Sequence, residues 1–122
     1  MITGQVNENL EAVISLSVVK TNNEIREIKA VIDTGYSGYF SLSFELISEL
    51  NLSRIGKAQL TLADGTVISS NVYEATILWD GQPRVIQVDS FESSVLVGMS
   101  LLKNCDFNMR VAINSPVTII PF

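Results

Sequence analysis

Ala30-Val31-Ile32-Asp33-Thr34-Gly35 carries a carboxylate from the end of an apolar run straight into a Thr-Gly turn. Asp is depleted from strands, and an ionised carboxylate is costly to bury, so Asp33 in this place calls for an explanation. Two are open. Asp33 is a strand-end turn residue, as Asp and Gly commonly are, or it is a catalytic carboxylate held by the backbone of a tight loop. A second stretch, Val95-Leu96-Val97-Gly98, also ends a short apolar strand in Gly and leads into the helix-compatible Met99-Ser100-Leu101-Leu102. After the first Gly comes a comparable element, Ser43 to Leu50, with apolar residues at helical spacing. Gly35 and Gly98 lie 63 positions apart, about half the chain. The order strands, apolar-apolar-x-Gly, helix therefore occurs twice, as in a degenerate internal duplication. Two unrelated strand-to-helix turns are the plainer alternative.

Composition narrows the class. At 122 residues the chain is long enough for one domain with a modest core, here residues 1–122. With 47% apolar and 17% charged residues it is globular. Abundant Val, Ile, Thr and Leu with one or two short helix candidates predict an all-β or mostly-β fold. A net charge of -5 argues against nucleic acid, whose phosphates need a basic face. The chain has no His, which removes Ser-His and Cys-His catalysis and any His-based zinc site. No metal or other cofactor is expected. The lone cysteine, Cys105, cannot form an intrachain disulfide, and its surroundings suit a small core residue better than a reactive thiol. The start lacks the pattern of a signal peptide, and no apolar run approaches membrane-spanning length, so a cytoplasmic protein without membrane contact is expected.

Along the chain, Val13 to Val19 alternates as a strand, Thr21-Asn22-Asn23 turns, and Ile25 to Ile32 returns as its hairpin partner. A second hairpin runs from about Ala58 to Leu62 and back from Val67, with Asp64-Gly65 at its tip as a type I′ pair. Trp79-Asp80-Gly81-Gln82 turns into a strand from Arg84 through Val88. Phe107 to Ile113 and Val117 to Phe122 close the chain, the last as an exposed edge unless something pairs with it.

With Asp33-Thr34-Gly35, the hairpin tip Ala63-Asp64-Gly65-Thr66 and Leu96-Val97-Gly98 in this order, the chain resembles the retropepsin-like aspartic proteases. The small single-domain prokaryotic members are the most similar. The resemblance runs from Leu10 to Phe122 and rests on order and spacing, because each motif is short. It implies a β-barrel-like acid protease domain with the Asp-Thr-Gly loop at the floor of a cleft and a hairpin flap above it. Such enzymes need two loops face to face. This chain holds one, so the resemblance implies a homodimer with the site on its two-fold axis.

The chemistry agrees. Peptide hydrolysis without metal, His or nucleophile needs one group to take a proton from water and another to give one to the carbonyl oxygen. Two carboxylates held close share one proton because they cannot both ionise. By the resemblance, Asp33 activates water with its symmetry mate, Thr34 bonds across the dyad, and Gly35 presents its N–H to the carboxylate. Gly98 lets Leu96-Val97 pack behind the loop, and Ala63 to Thr66 close over an extended peptide or protein substrate. Asp64 at the tip either biases substrate choice toward basic residues or serves the turn alone. Tyr36, where the family commonly has a small residue, fills a pocket or packs in the core. Tyr73, Trp79, Phe91 and Met99 line pockets or sit in cores. The expected function is an aspartic endopeptidase. The alternatives are a non-catalytic or weakly active peptide-binding or scaffold module of the same fold, and an unrelated β-sandwich with a fortuitous turn.

Overall fold

Period-two burial builds the first hairpin. Strand β2 (Ala12–Val19) turns Ala12, Ile14, Leu16 and Val18 inward, and β3 (Ile25–Ile32) does the same with Ile28, Ala30 and Ile32. They pair antiparallel from Val13↔Val31 to Val19↔Ile25. Asn23, at φ 67°, makes the turn in a left-handed conformation that Asn tolerates. The computed structural model describes residues 1–91 and 94–122.

Beyond that hairpin the chain interlocks. The end of β3 runs parallel to β8 (Leu96–Val97), with Val31↔Leu96 and Ile32↔Val97. Strand β4 (Phe40–Leu42) runs parallel to β7 (Gln82–Ser90) and antiparallel to β8. The path β3, loop, β4, then helix α1 (Phe44–Leu50) is thus repeated as β7, loop, β8, then helix α2 (Met99–Leu102). Matching hydrogen bonds tie each half to the other: the Asp33 N–H donates to the Val97 carbonyl at 2.9 Å, and the Phe91 N–H to the Leu42 carbonyl at 3.1 Å. The duplication is present, but its phase differs from the expected one. Gly98, the N-cap of α2, corresponds to Ser43, the N-cap of α1, and not to Gly35; Asp33 corresponds to Phe91.

Strand β6 (Val67–Trp79) closes the sheet. Its far half pairs with β7 and also with β2, through Ser17↔Leu78, Val18↔Ile77 and Val19↔Thr76. The order β2-β3-β8-β4-β7-β6 therefore returns to β2 as a ring. Phe40, Leu16, Ile77, Val88, Val97 and Leu101 fill it, each with at most 2% of its surface exposed. Burial of side chains of this kind is worth about 1.5–3 kcal/mol apiece, which makes the ring the main source of stability.

Two extensions leave the ring. The near half of β6 pairs with β5 (Ser53–Thr61) as a long hairpin. On the other side, β1 (Ile2–Val6), β10 (Pro116–Pro121) and β9 (Cys105–Met109) add successively to β2. The C-terminal strand is thus covered on both sides, and the free edge on this flank is β9. That strand stops at Met109 rather than Ile113, because residues 110–115 form a turn in which the Ser115 N–H reaches the Ala112 carbonyl at 3.1 Å.

The type I′ turn expected at Asp64-Gly65 lies instead at the other Asp-Gly pair. Asp80 and Gly81 both have positive φ, 51° and 80°, in a two-residue loop between the paired Trp79 and Gln82, so the type I′ turn lies here. At Asp64-Gly65 only Gly65 has positive φ, 85°. The Leu62 N–H meets the Thr66 carbonyl at 2.7 Å, which leaves three residues to turn. A type I turn followed by a left-handed Gly fits that length. No helix among the described residues is long and apolar enough to cross a membrane.

Candidate active site

Asp33 leaves β3 half-buried, and its side chain is fixed within its own loop. Its Oδ1 accepts the Gly35 N–H at 2.9 Å, while its carbonyl accepts the Tyr36 N–H at 3.1 Å. An Asp bonding the backbone two residues on is ordinary turn chemistry. The loop is also clamped from outside. The N–H groups of Gly98, Met99 and Ser100 donate to the carbonyls of Tyr39, Tyr36 and Gly38 at 3.0, 2.8 and 3.1 Å. The Ser100 hydroxyl adds a bond to the Ser37 carbonyl at 2.6 Å. Gly98 is needed for this fit. A Cβ there would collide with the Gly38 carbonyl oxygen and lie 2.7 Å from both the ring and the carbonyl of Tyr36. The turns at Asp33-Thr34-Gly35 and Leu96-Val97-Gly98 are therefore brought together.

Tyr36 packs, and it also bonds. Its ring covers Gly38 and meets the Phe91 ring edge-on at a centroid separation of 5.5 Å. Its hydroxyl donates to Asp89 Oδ2 on β7. Burial first, then the hydrogen bond to Asp89 and its negative charge, raise the Tyr36 pKa far above the usual phenol value, so the hydroxyl stays a donor. Sequence reasoning misses Asp89, although an acid inside an apolar strand carries the same signal that singles out Asp33. Nearby, the fully buried Ser41 is satisfied on both sides: its hydroxyl donates to the Ser94 carbonyl at 3.1 Å and accepts the Leu96 N–H at 3.0 Å.

Two grooves flank this loop. Asp33 and the exposed Thr34 line an open groove of about 340 Å³, together with Leu10, Leu96, Phe107 and Met109. A separate cleft of about 590 Å³ lies under the β5–β6 hairpin and is lined by Leu62 and Ile68 from the hairpin and by Phe44 and Phe91. Within one chain Ala63, Asp64, Gly65 and Thr66 line neither groove; they form the exposed tip, and the hairpin lines the cleft with Leu62 and Ile68 together with the polar Lys57, Ser69, Ser70 and Asn71. Asp64 is occupied by its turn, with Oδ1 accepting the Thr66 N–H at 2.9 Å. Those hydrogen bonds to Thr66 lower its pKa, which accords with turn chemistry at this acid. Of the aromatic and Met candidates, Phe91 lines the cleft under the hairpin, Tyr73 a neighbouring groove with Ile47 and Leu52, Trp79 belongs to the core and Met99 is exposed. Cys105 is half-buried, and burial pushes its thiol pKa up, in keeping with an unreactive role.

No family model matches the sequence, and no curated protein matches it. Among solved structures, the chain is similar to a retropepsin-like aspartic protease from Rickettsia conorii, with a TM-score of 0.59 and 20% identity over 97% of this chain and 90% of that one. The fold is accordingly retropepsin-like, all-β with two short helices among the described residues.

Proposed function

We propose that the chain is an aspartic endopeptidase that works as a homodimer, residues 1–122 forming one retropepsin-like domain that brings one half of the site. Asp33 is the acid-base group. Paired with the same residue of a second copy, it shares a single proton, so that one carboxylate takes a proton from the attacking water while the other donates to the peptide carbonyl. Gly35 orients the carboxylate through its N–H. Thr34, exposed beside Asp33, bonds across the two-fold axis. Ala63 to Thr66 close over an extended peptide and exclude water, with main-chain bonds giving affinity. Leu96, Val97 and Gly98 hold the loop from behind.

The observation that carries this reading is the placement of Asp33. Its carboxylate sits at an open groove, aimed by the 2.9 Å bond from Gly35, on a loop clamped by α2, in a fold shared with an aspartic protease. The test is Asp33→Asn, an isosteric change. Cleavage of a peptide library is expected to fall by at least about 10³-fold, with the dimer unchanged in sedimentation. Equal cleavage by the variant would overturn the mechanism. Peptide binding by the wild type without turnover would instead point to a binding module of the same fold.

A further inference from the structure

Asp33 and the flap cleft are lined by different residues, yet one side chain touches the machinery of both. Tyr36 follows the Asp33 turn directly and gives its N–H to the Asp33 carbonyl. Its own carbonyl is held by the Met99 N–H. From there the ring reaches across to the other half of the repeat, where its edge meets Phe91 and its hydroxyl binds Asp89. Phe91 is the residue that corresponds to Asp33 in the second half, and it lines the cleft together with Leu62 and Ile68. The ring has little room to yield. Cβ atoms at Gly38 or Gly98 would clash with it, so it occupies the space that side chains at both positions would take.

We propose that Tyr36 is a positioning residue that couples occupancy of the flap cleft to the orientation of the Asp33 loop, through Phe91 and Asp89. A substrate side chain entering the cleft bears on Phe91. Phe91 bears on the edge of Tyr36, and Tyr36 transmits the load to the turn whose Gly35 N–H aims the carboxylate. The hydroxyl bond to Asp89 keeps the ring from swinging away when it is pushed. The size of the side chain in the cleft then governs turnover as well as binding, because a small displacement of a reacting group costs rate. This rests on the endopeptidase reading above.

Two measurements test it. The first uses no substrate: the Gly35 amide resonance is recorded in the wild type, Tyr36→Phe, Phe91→Leu and the double variant. Phe91→Leu is expected to shift the Gly35 resonance, and Tyr36→Phe to remove at least about half of that shift, as coupled neighbours depart from additivity. The second compares peptides that differ in one apolar side chain. In the wild type kcat should rise with its size. In Tyr36→Phe that dependence should vanish and kcat fall about tenfold, with KM and the dimer unchanged; a purely structural loss would alter folding and KM as well. An identical Gly35 shift in both backgrounds, or an unaltered dependence of kcat on side-chain size, would overturn the proposal. Full cleavage by Asp33→Asn would sink the endopeptidase reading alone, because the Gly35 resonance reports the coupling directly.

Discussion

At the scale of single residues, the Asp33 loop depends on what its neighbours lack. Gly98 has an ordinary extended conformation, so backbone freedom is not the reason for glycine there. The reason is contact: the carbonyl of Gly38 and the ring of Tyr36 occupy the space of a side chain. Gly98→Ala should therefore cost about 1–3 kcal/mol as an overpacked site. It should appear as a melting temperature several degrees lower together with weakened cleavage. A variant as stable and as active as the wild type would show that the clamp has slack. Asp33-Thr34-Gly35 stands out in the sequence because its chemistry is local: an apolar strand, an acid and a turn lie within six residues. Phe91 does not, since its meaning comes from Tyr36, more than fifty positions away in the chain; Asp89 carries a local signal, an acid inside an apolar strand, but its partner Tyr36 is equally distant.

Among the elements, the two Asp-Gly hairpins separate stability from action. Gly81 turns two strands of the closed ring, whereas Gly65 tips a hairpin whose end touches no core. Both have φ near 80°, where a Cβ costs about 1 kcal/mol. Gly81→Ala should lower the melting temperature and leave cleavage intact, and Gly65→Ala should do the reverse. Thermal unfolding and kcat/KM on the same preparations check the contrast, and parallel effects in both would remove the functional distinction. Strands long enough to alternate are legible in the sequence itself: the hairpin of β2 and β3 declares itself through Val13 to Val19 and Ile25 to Ile32. β1 is not, because Gly4 in the middle of five residues resembles a turn. Only the fold shows that Gly4 lies against the Val13 carbonyl, with no room for a side chain. The type of each Asp-Gly turn is equally hidden, since strand register sets the loop length and distant pairings set the register.

For the molecule as a whole, the decisive number is one carboxylate loop per chain. If activity requires two copies, specific activity should fall on dilution in proportion to the dimer fraction measured by sedimentation. Constant specific activity well into the monomer range would contradict the shared site. The C-terminal strand has no free edge to offer a second copy, since β10 lies between β1 and β9 of its own chain. Those partners come from distant segments and are not legible in Val117 to Ile120 alone. The phase of the repeat is unreadable for a similar reason: β4 has three residues and β8 two, too short to show a period.

The matched halves carry one more consequence. Phe91 occupies the place in the second half that Asp33 holds in the first, so an acid grafted there invites the idea of a self-sufficient monomer. The two positions open onto different grooves, however, one beneath the hairpin and the other beside Leu10 and Met109. A carboxylate installed at 91 would line the hairpin cleft and not the groove that Asp33 lines. Repetition inside this barrel multiplies the scaffold without multiplying the acid, so under the proposed mechanism a second carboxylate at position 91 would not replace the second copy.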